Sequence, residues 1–391
     1  MQLRYGRPHD VTTKKAAQAV FSEFYVFFFN PLLYCFQRTK QRLVRVCKTW
    51  YTSAIRFLYE AVLLGRGKFL ASLYEGLKRS HRPSIDSATG ELPLGWWTKR
   101  LDVAMRDSTE DSKTDMVHLE SIIAMLPNLS ILTFDIRGHG YFSSNGGLGT
   151  LPSSILQSTS PENLNVVCWY SPNIMPTLED WLEFLSSRPH LRSISDLAWA
   201  DYIPMTTTAP NFPSLTSLHL SHSRCVEYFS RLELPHLQHL TYRANYDFTQ
   251  SLALFFQNHG AKLMSFTTDC RASEWNILPL ISETCPNLIS LELSVDDWDF
   301  LPDNRSALPP IRTMKLVCRR RDHGRRLYRR LFAFIMDVVT VCPTLKTIRF
   351  ADERNICNVN KHLHVLQGAL DILSKAGVTL EILEGRLIAL S

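Results

Sequence analysis

The sequence predicts an α/β solenoid, a ladder of short parallel strands with helices or irregular returns on its outer face and a short helical segment ahead of it. Three observations lead there. A phrase of the form proline-x-leucine, then apolar residues three and five positions on, recurs along the chain. The segments between copies carry apolar residues at helical spacing instead. The units are also too short to bury an apolar face alone, so they must stack on one another and share a core.

The phrase reads LPNLSILTFDIRG at 126–138, FPSLTSLHLSHSR at 212–224, LPHLQHLTYRANY at 234–246, CPNLISLELSVDDW at 285–298 and CPTLKTIRFADER at 342–354. Aligned on its first leucine it gives Leu129, Leu164, Leu191, Leu215, Leu237, Leu263, Leu288, Ile311, Leu345 and Leu380, in steps of 22 to 35 residues. Side chains alternate along a strand, so the apolar residues at +3 and +5 share one face. Leu218 with Leu220, Leu291 with Leu293, Met314 with Leu316, and Ile348 with Phe350 are such pairs. Proline two residues before the leucine (Pro127, Pro189, Pro213, Pro235, Pro286, Pro343) lacks an amide donor and ends the preceding element before the strand begins.

Helices are expected between the strands. Leu178, Trp181, Leu182 and Leu185 make a stripe within 176–187, and 249–260 reads similarly. Segment 273–285 does too, with Pro279 expected to kink or shorten it. In 361–377, Leu363, Leu366, Leu370 and Leu373 share a face, and Gly377 stands where a helix C-cap belongs. The strand phrase resembles leucine-rich repeats in a degenerate form of variable length. The asparagine or cysteine expected after the strand is mostly missing: Asn245 fills that place once, whereas Asp296 and Glu353 stand there in other units. A doubly wound domain would instead need longer apolar strands and glycine-rich turns.

Composition excludes several functional classes. Of 391 residues, 45% are hydrophobic and 20% charged, as in a folded, soluble chain. The nine cysteines are scattered without a CxxC pair, which points away from a disulfide framework or a zinc site and towards a reducing, cytoplasmic and/or nuclear setting. The net charge of +6 is unevenly placed: residues 1–80 hold 14 Lys/Arg against 4 Asp/Glu, so the remainder carries −4. The aromatic run VFSEFYVFFFNPLLYCF at 20–36 is interrupted by Glu23 and by Asn30-Pro31. It is shorter than the roughly 20 apolar residues of a membrane span and reads as a buried helix.

In LVRVCKTWYTSAIRFLYEAVLL (43–64), Leu43, Val46, Cys47 and Trp50 form one helical stripe with Arg45, Lys48 and Thr49 outside it. Packing on the first coil would suffice to explain that stripe. The string also resembles the second half of an F-box, of the kind fused to degenerate leucine-rich repeats in basidiomycete fungi. Residues 43–50 match the leucine-x-x-valine-cysteine-x-x-tryptophan helix, and Phe57-Leu58-Tyr59-Glu60 match the phrase leading into the repeats. The resemblance implies a non-enzymatic substrate receptor of an SCF (Skp–cullin–F-box) ubiquitin ligase. Leu43, Val46, Cys47 and Trp50 would touch the Skp-type adaptor, and the repeats would hold a target protein. It implies no cofactor and no small-molecule substrate.

The chain then divides into an atypical segment 1–42, partial F-box-like helices at 43–64, linking helices with a first irregular repeat at 65–125, and the solenoid at 126–391. The family's opening leucine-proline helix has no counterpart in residues 1–42; Pro31-Leu32-Leu33 comes nearest. Two accounts stay open: that helix has diverged, or the frame ahead of about residue 38 is not authentic. An interaction scaffold unconnected with ubiquitination is the alternative function.

No constellation points to an enzyme or a metal. His362 and His364 are two apart on a helical segment and so face different ways. NGGLGT at 145–150 lacks the spacing of a phosphate loop. Asp269-Cys270-Arg271 has no histidine base nearby in sequence. The sharpest polar feature is CRRRDHGRRLYRR: Arg319, Arg320, Arg321, Arg325, Arg326, Arg329 and Arg330 fall within twelve residues, ahead of an apolar helix buried through Leu327, Leu331, Phe334, Ile335 and Val338. A solvated face is the ordinary reading. Cations at a helix N-terminus oppose the macrodipole, however, which leaves room for an anionic partner such as an acidic degron, a phosphopeptide or, less expected, nucleic acid, and a nuclear-import signal is equally open.

Overall fold

The computed structural model describes residues 47–65, 68–81, 92–104, 112–136, 149–150, 153–160, 162–171, 174–195, 211–220, 223–243, 249–270, 277–301, 308–319, 325–350, 363–382 and 386–387. Helix α1 (Lys48–Glu60) leads into β1 (Ala61–Leu64), and α2 (Lys68–His81) precedes the 3-10 turn Leu94–Trp97 and β2 (Arg100–Val103). Next come α3 (Ser112–Ala124), β3 (Ile131–Phe134), β4 (Gly149–Thr150), α4 (Ser153–Gln157), β5 (Val166–Trp169), β6 (Ile174–Met175), α5 (Leu178–Ser186) and β7 (Ser193–Ser195). The central coils hold β8 (Ser217–Leu220), α6 (Ser223–Ser230), β9 (His239–Tyr242), α7 (Thr249–His259), β10 (Ser265–Cys270) and α8 (Ile277–Thr284). The last are β11 (Ser290–Val295), β12 (Thr313–Cys318), α9 (Arg325–Val341), β13 (Thr347–Phe350), α10 (Leu363–Lys375), β14 (Thr379–Ile382) and β15 (Arg386–Leu387).

Among the described residues thirteen strands form one open sheet in chain order; β4 and β6 pair separately. Every neighbouring pair from β1 to β14 is parallel, and β15 alone turns back antiparallel on β14. Helices alternate with the strands, and their apolar stripes join the inward side chains in one continuous core. The fold is thus an α/β solenoid of the leucine-rich-repeat kind.

The register bears out the phrase. The +3 residues Leu132, Val167, Ile194, Leu218, Leu240, Phe266, Leu291, Met314 and Ile348 stand directly opposite one another on successive strands, all buried. Leu380 is placed differently from the expected ladder. It pairs with Ile348, so it is a +3 residue, and Gly377 holds the leucine position of that coil. Gly377 has φ +70°. Its N–H donates to Ser374 O at 3.0 Å and that of Val378 to Leu373 O at 2.9 Å, the paired bonds that close a helix on a left-handed residue. The cap was legible; that it displaces the leucine was not.

The ladder also begins ahead of residue 126. Strands β1 and β2 keep the same register, Val62 beside Leu101 and Leu101 beside Leu132. Their leucine positions are held by Tyr59 and Thr98, and Trp96 replaces the proline. Both coils therefore lack the phrase while keeping its geometry. Of segment 273–285, residues 273–276 lie outside the described residues; the described helix runs Ile277–Thr284 with Pro279 in its first turn, where an amide would be unpaired anyway.

Neighbouring coils are tied by side chains immediately before the leucine. Asn128 donates to Trp96 O at 2.9 Å, Asn163 to Pro127 O at 2.9 Å and Asn287 to Ala261 O at 2.7 Å. Asparagine therefore links the coils here, but from the entry to the strand rather than from its exit. Arg188, buried on the same loop track, lies with its guanidinium 3.9 Å from the centre of the Phe184 ring. It donates to Phe184 O at 2.8 Å and to Leu156 O and Thr159 O at 3.0 Å, and also bonds Thr159 Oγ1. One cation thus satisfies carbonyls at the C-terminal ends of α4 and α5. Burial pushes its pKa down to about 10, still charged at neutral pH.

Close packing between coils makes Gly95 and Gly260 indispensable: a Cβ on Gly95 would lie 2.1 Å from Met125 O. A Cβ on Gly260 would lie 2.6 Å from Thr284 O, whereas one on Gly368, within α10, would meet nothing within 4 Å. Gly260→Ala should therefore lower stability by about 2–3 kcal/mol, because backbone must move. Gly368→Ala should raise stability by up to about 1 kcal/mol. Urea unfolding of the two variants checks the contrast.

Candidate interaction surfaces

Helix α1 sits at the N-terminal end of the ladder, against the Leu94–Trp97 turn and β1. Leu43 and Val46 lie outside the described residues. Cys47 is exposed and extended (φ −162°, ψ 171°), so the expected stripe is interrupted there, and the helix proper starts at Lys48 with Trp50 in its first turn. It then runs through to Glu60 as one helix where two were expected, since no glycine or proline separates the phrases. The solenoid leaves it incompletely covered. Tyr51 and Phe57 are 47% and 49% exposed, and Ala54, Ile55, Leu58 and Tyr59 are only half-buried.

The arginine cluster is divided by the fold. Arg319 follows β12 and reaches Asp269 and, at 3.4 Å, Asp296 on the two preceding coils. Arg320 and Arg321 lie outside the described residues; Arg325 begins α9. Arg326 and Arg329 are exposed on that helix. Arg330, expected on its outer face with them, is half-buried: it donates to Leu301 O at 3.1 Å and lies 3.7 Å from Asp299. The buried stripe of α9 includes the expected Leu331, Phe334, Ile335 and Val338, with Leu327 partly buried, and adds Tyr328, which the phrase LYRR disguised. Asp269, noted beside Cys270 as a chemical candidate, is thus engaged by Arg319.

The face of the sheet opposite the inward row is built from +2 and +4 side chains. Asp102, Thr133, Cys168, Ser195, His219, Thr241, Thr267, Glu292, Lys315, Arg349 and Glu381 form its +4 row. Its C-terminal part is charged and largely self-neutralised. Lys315 lies 3.5 Å from Glu292, and Arg349 lies 2.6 Å from Glu381. Its central part is small, polar and buried, with Thr133, Cys168, His219 and Thr267 all below a tenth exposed. Burial pushes the Cys168 thiol up, which makes it a poor nucleophile. His219 is pushed down to about 3 by burial and by the positive charge of Arg243, and its buried Nε2 has no hydrogen-bond partner.

That neutral imidazole links stability to acid. The unfolded chain takes up a proton at His219 near its ordinary value of about 6.5, the folded chain only near 3. Between these values the unfolded state binds more protons, so the stability present above pH 6.5 is lost as pH falls. The slope from this group is about 1.4 kcal/mol per pH unit. Subtracting unfolding free energies of His219→Gln from wild type between pH 6.5 and 4 should recover that slope.

Among the described residues no group of three or more His, Cys, Asp or Glu is arranged to hold a metal, and no helix is long and apolar enough to cross a membrane. His362 lies outside the described residues and His364 opens α10; NGGLGT is described only at Gly149–Thr150, a strand rather than a phosphate-binding turn. The surfaces and fold together define a class, an open repeat solenoid with extended faces. No protein family's sequence profile matches the chain, and no curated protein matches it.

Proposed function

We propose that this chain is a non-enzymatic recruitment subunit: its N-terminal helical end docks on a Skp-type adaptor of a cullin ubiquitin ligase, and its solenoid holds a target protein. The observation that carries this reading is α1. None of its described side chains is fully buried, and Tyr51 and Phe57 stand out from it, so it offers an apolar face at the end of the ladder. A helix laid against a partner's groove uses such a face. The resemblance of residues 43–64 to an F-box supplies the partner's identity, and the parallel sheet supplies a long, fixed surface for a target. The work would be done in the cytoplasm or nucleus, with catalysis on a separate subunit. A scaffold with no link to ubiquitination is favoured by the extended Cys47, which interrupts the F-box-like stripe.

Co-expression with a Skp-type adaptor separates the two. The full chain should co-purify with the adaptor, and Trp50→Ala combined with Phe57→Ala should reduce capture at least about tenfold, as truncating two central aromatics of an interface does. Absence of co-purification by the unaltered, folded chain would assign it to the scaffold class.

A further inference from the structure

One side of the solenoid carries an unbalanced charge that neither the adaptor reading nor the outward face of the sheet uses. The residue directly after each leucine position lies at the rim where the strands begin. Backbone bonds fix these residues side by side: Ile289 N–H donates to Met264 O at 2.8 Å, Arg312 N–H to Ile289 O at 2.8 Å and Lys346 N–H to Arg312 O at 2.9 Å. Successive rim residues are therefore held about 4.8 Å apart. All four are exposed, Met264 and Ile289 each by 38%, and Lys262 precedes Met264 by two residues. Arg192 continues the rim three coils earlier.

Three features mark this row. Among the described residues, no carboxylate pairs with Arg192, Arg312 or Lys346, unlike Lys315 and Arg349 of the neighbouring +4 row, which have Glu292 and Glu381. Moreover residues 81–391 carry a net charge of −4, so these cations are concentrated against the balance of the solenoid. In addition, two large aliphatic side chains are left in water between Lys262 on one side and Arg312 and Lys346 on the other, at no benefit to the fold.

We infer that the rim over β10–β13 is a docking surface for an acidic polypeptide segment with interspersed aliphatic residues. Carboxylates would meet Lys262, Arg312 and Lys346, and an aliphatic side chain would settle on Met264 and Ile289. A nucleic acid fits less well. Bases stack on aromatic rings, whereas the apolar part here is aliphatic. The surface is independent of α1 and stands whether or not that helix meets an adaptor.

The test uses the full chain and a short fluorescein-labelled peptide in which pairs of glutamates alternate with single leucines, followed by fluorescence anisotropy at low salt. Arg312→Glu with Lys346→Glu should weaken binding at least about tenfold, the equivalent of two exposed ion pairs. Met264→Ser with Ile289→Ser should weaken it at least about threefold, and Arg231→Glu, just after α6, should leave it unchanged. Circular dichroism melts establish that each variant folds; Arg312→Gln with Lys346→Gln replaces the reversal if that one does not. No binding by wild type, equal binding by the reversal variant, or equally tight binding of a single-stranded oligonucleotide that ignores Met264 and Ile289 would each overturn the assignment. Adaptor capture by the same rim variants should be unaffected, which keeps this result separate from that of the N-terminal helix.

Discussion

Leu291→Asp should unfold the coils around β11, whereas Glu292→Ala, one residue along, should be nearly silent. Leu291 is wholly buried at the centre of the inward row, between Phe266 and Met314 on the flanking strands. Its side chain contributes about 1.5–3 kcal/mol by burial alone. A carboxylate in that place adds the cost of an uncompensated polar group, so the loss should exceed about 4 kcal/mol. Glu292 faces away from the inward row and pairs with Lys315 at 3.5 Å, partly in solvent, a contact of at most about 1 kcal/mol. Because each coil touches only its neighbours, the damage should be local. Hydrogen exchange should show lost protection over β10–β12 and retained protection at β2 and β3. Similar losses from the two substitutions would mean that the inward face has been misassigned.

Arg188→Met is the second change with a large expected effect. Methionine nearly matches the arginine stem in reach but offers no donor to the three carbonyls of Leu156, Thr159 and Phe184. With the ends of α4 and α5 left unsatisfied in the interior, about 3–5 kcal/mol should be lost. Arg188→Lys keeps the charge without the planar fork, and its unfolding midpoint in urea should fall between those of wild type and Arg188→Met. If the methionine variant is as stable as wild type, the guanidinium is dispensable and the helix ends find water instead.

Much of this architecture could be read from residue types because the inward row is enforced by alternation. Leu218 and Leu220 announce a strand face whatever surrounds them. The reading failed where another residue solved the same geometric problem. Thr98 and Tyr59 hold leucine positions, so β1 and β2 carry no phrase, and Gly377 caps a helix at the position that Leu380 was expected to hold. The asparagine link between coils was sought after the strand, while Asn128, Asn163 and Asn287 make it from before the leucine. Their signal was present in plain sight as proline-asparagine-leucine at Asn128 and Asn287, whereas Asn163 follows Glu162. Among candidate sites, the arginine run looked like one surface because its members are adjacent in sequence. The fold separates Arg319 from Arg326 and half-buries Arg330. The basic rim escaped for the opposite reason: its members are some 20–35 residues apart and become neighbours only once the register is known.

The reversed strand at the far end has a consequence for how such molecules meet. A stack of like units with two open ends could in principle be continued by the next molecule, head to tail and without limit, since a heterologous contact that does not close on itself builds fibres. At β14 that continuation is spoiled. Arg386–Leu387 occupies the outgoing hydrogen-bonding edge with the chain running the opposite way, and a parallel newcomer finds its place taken.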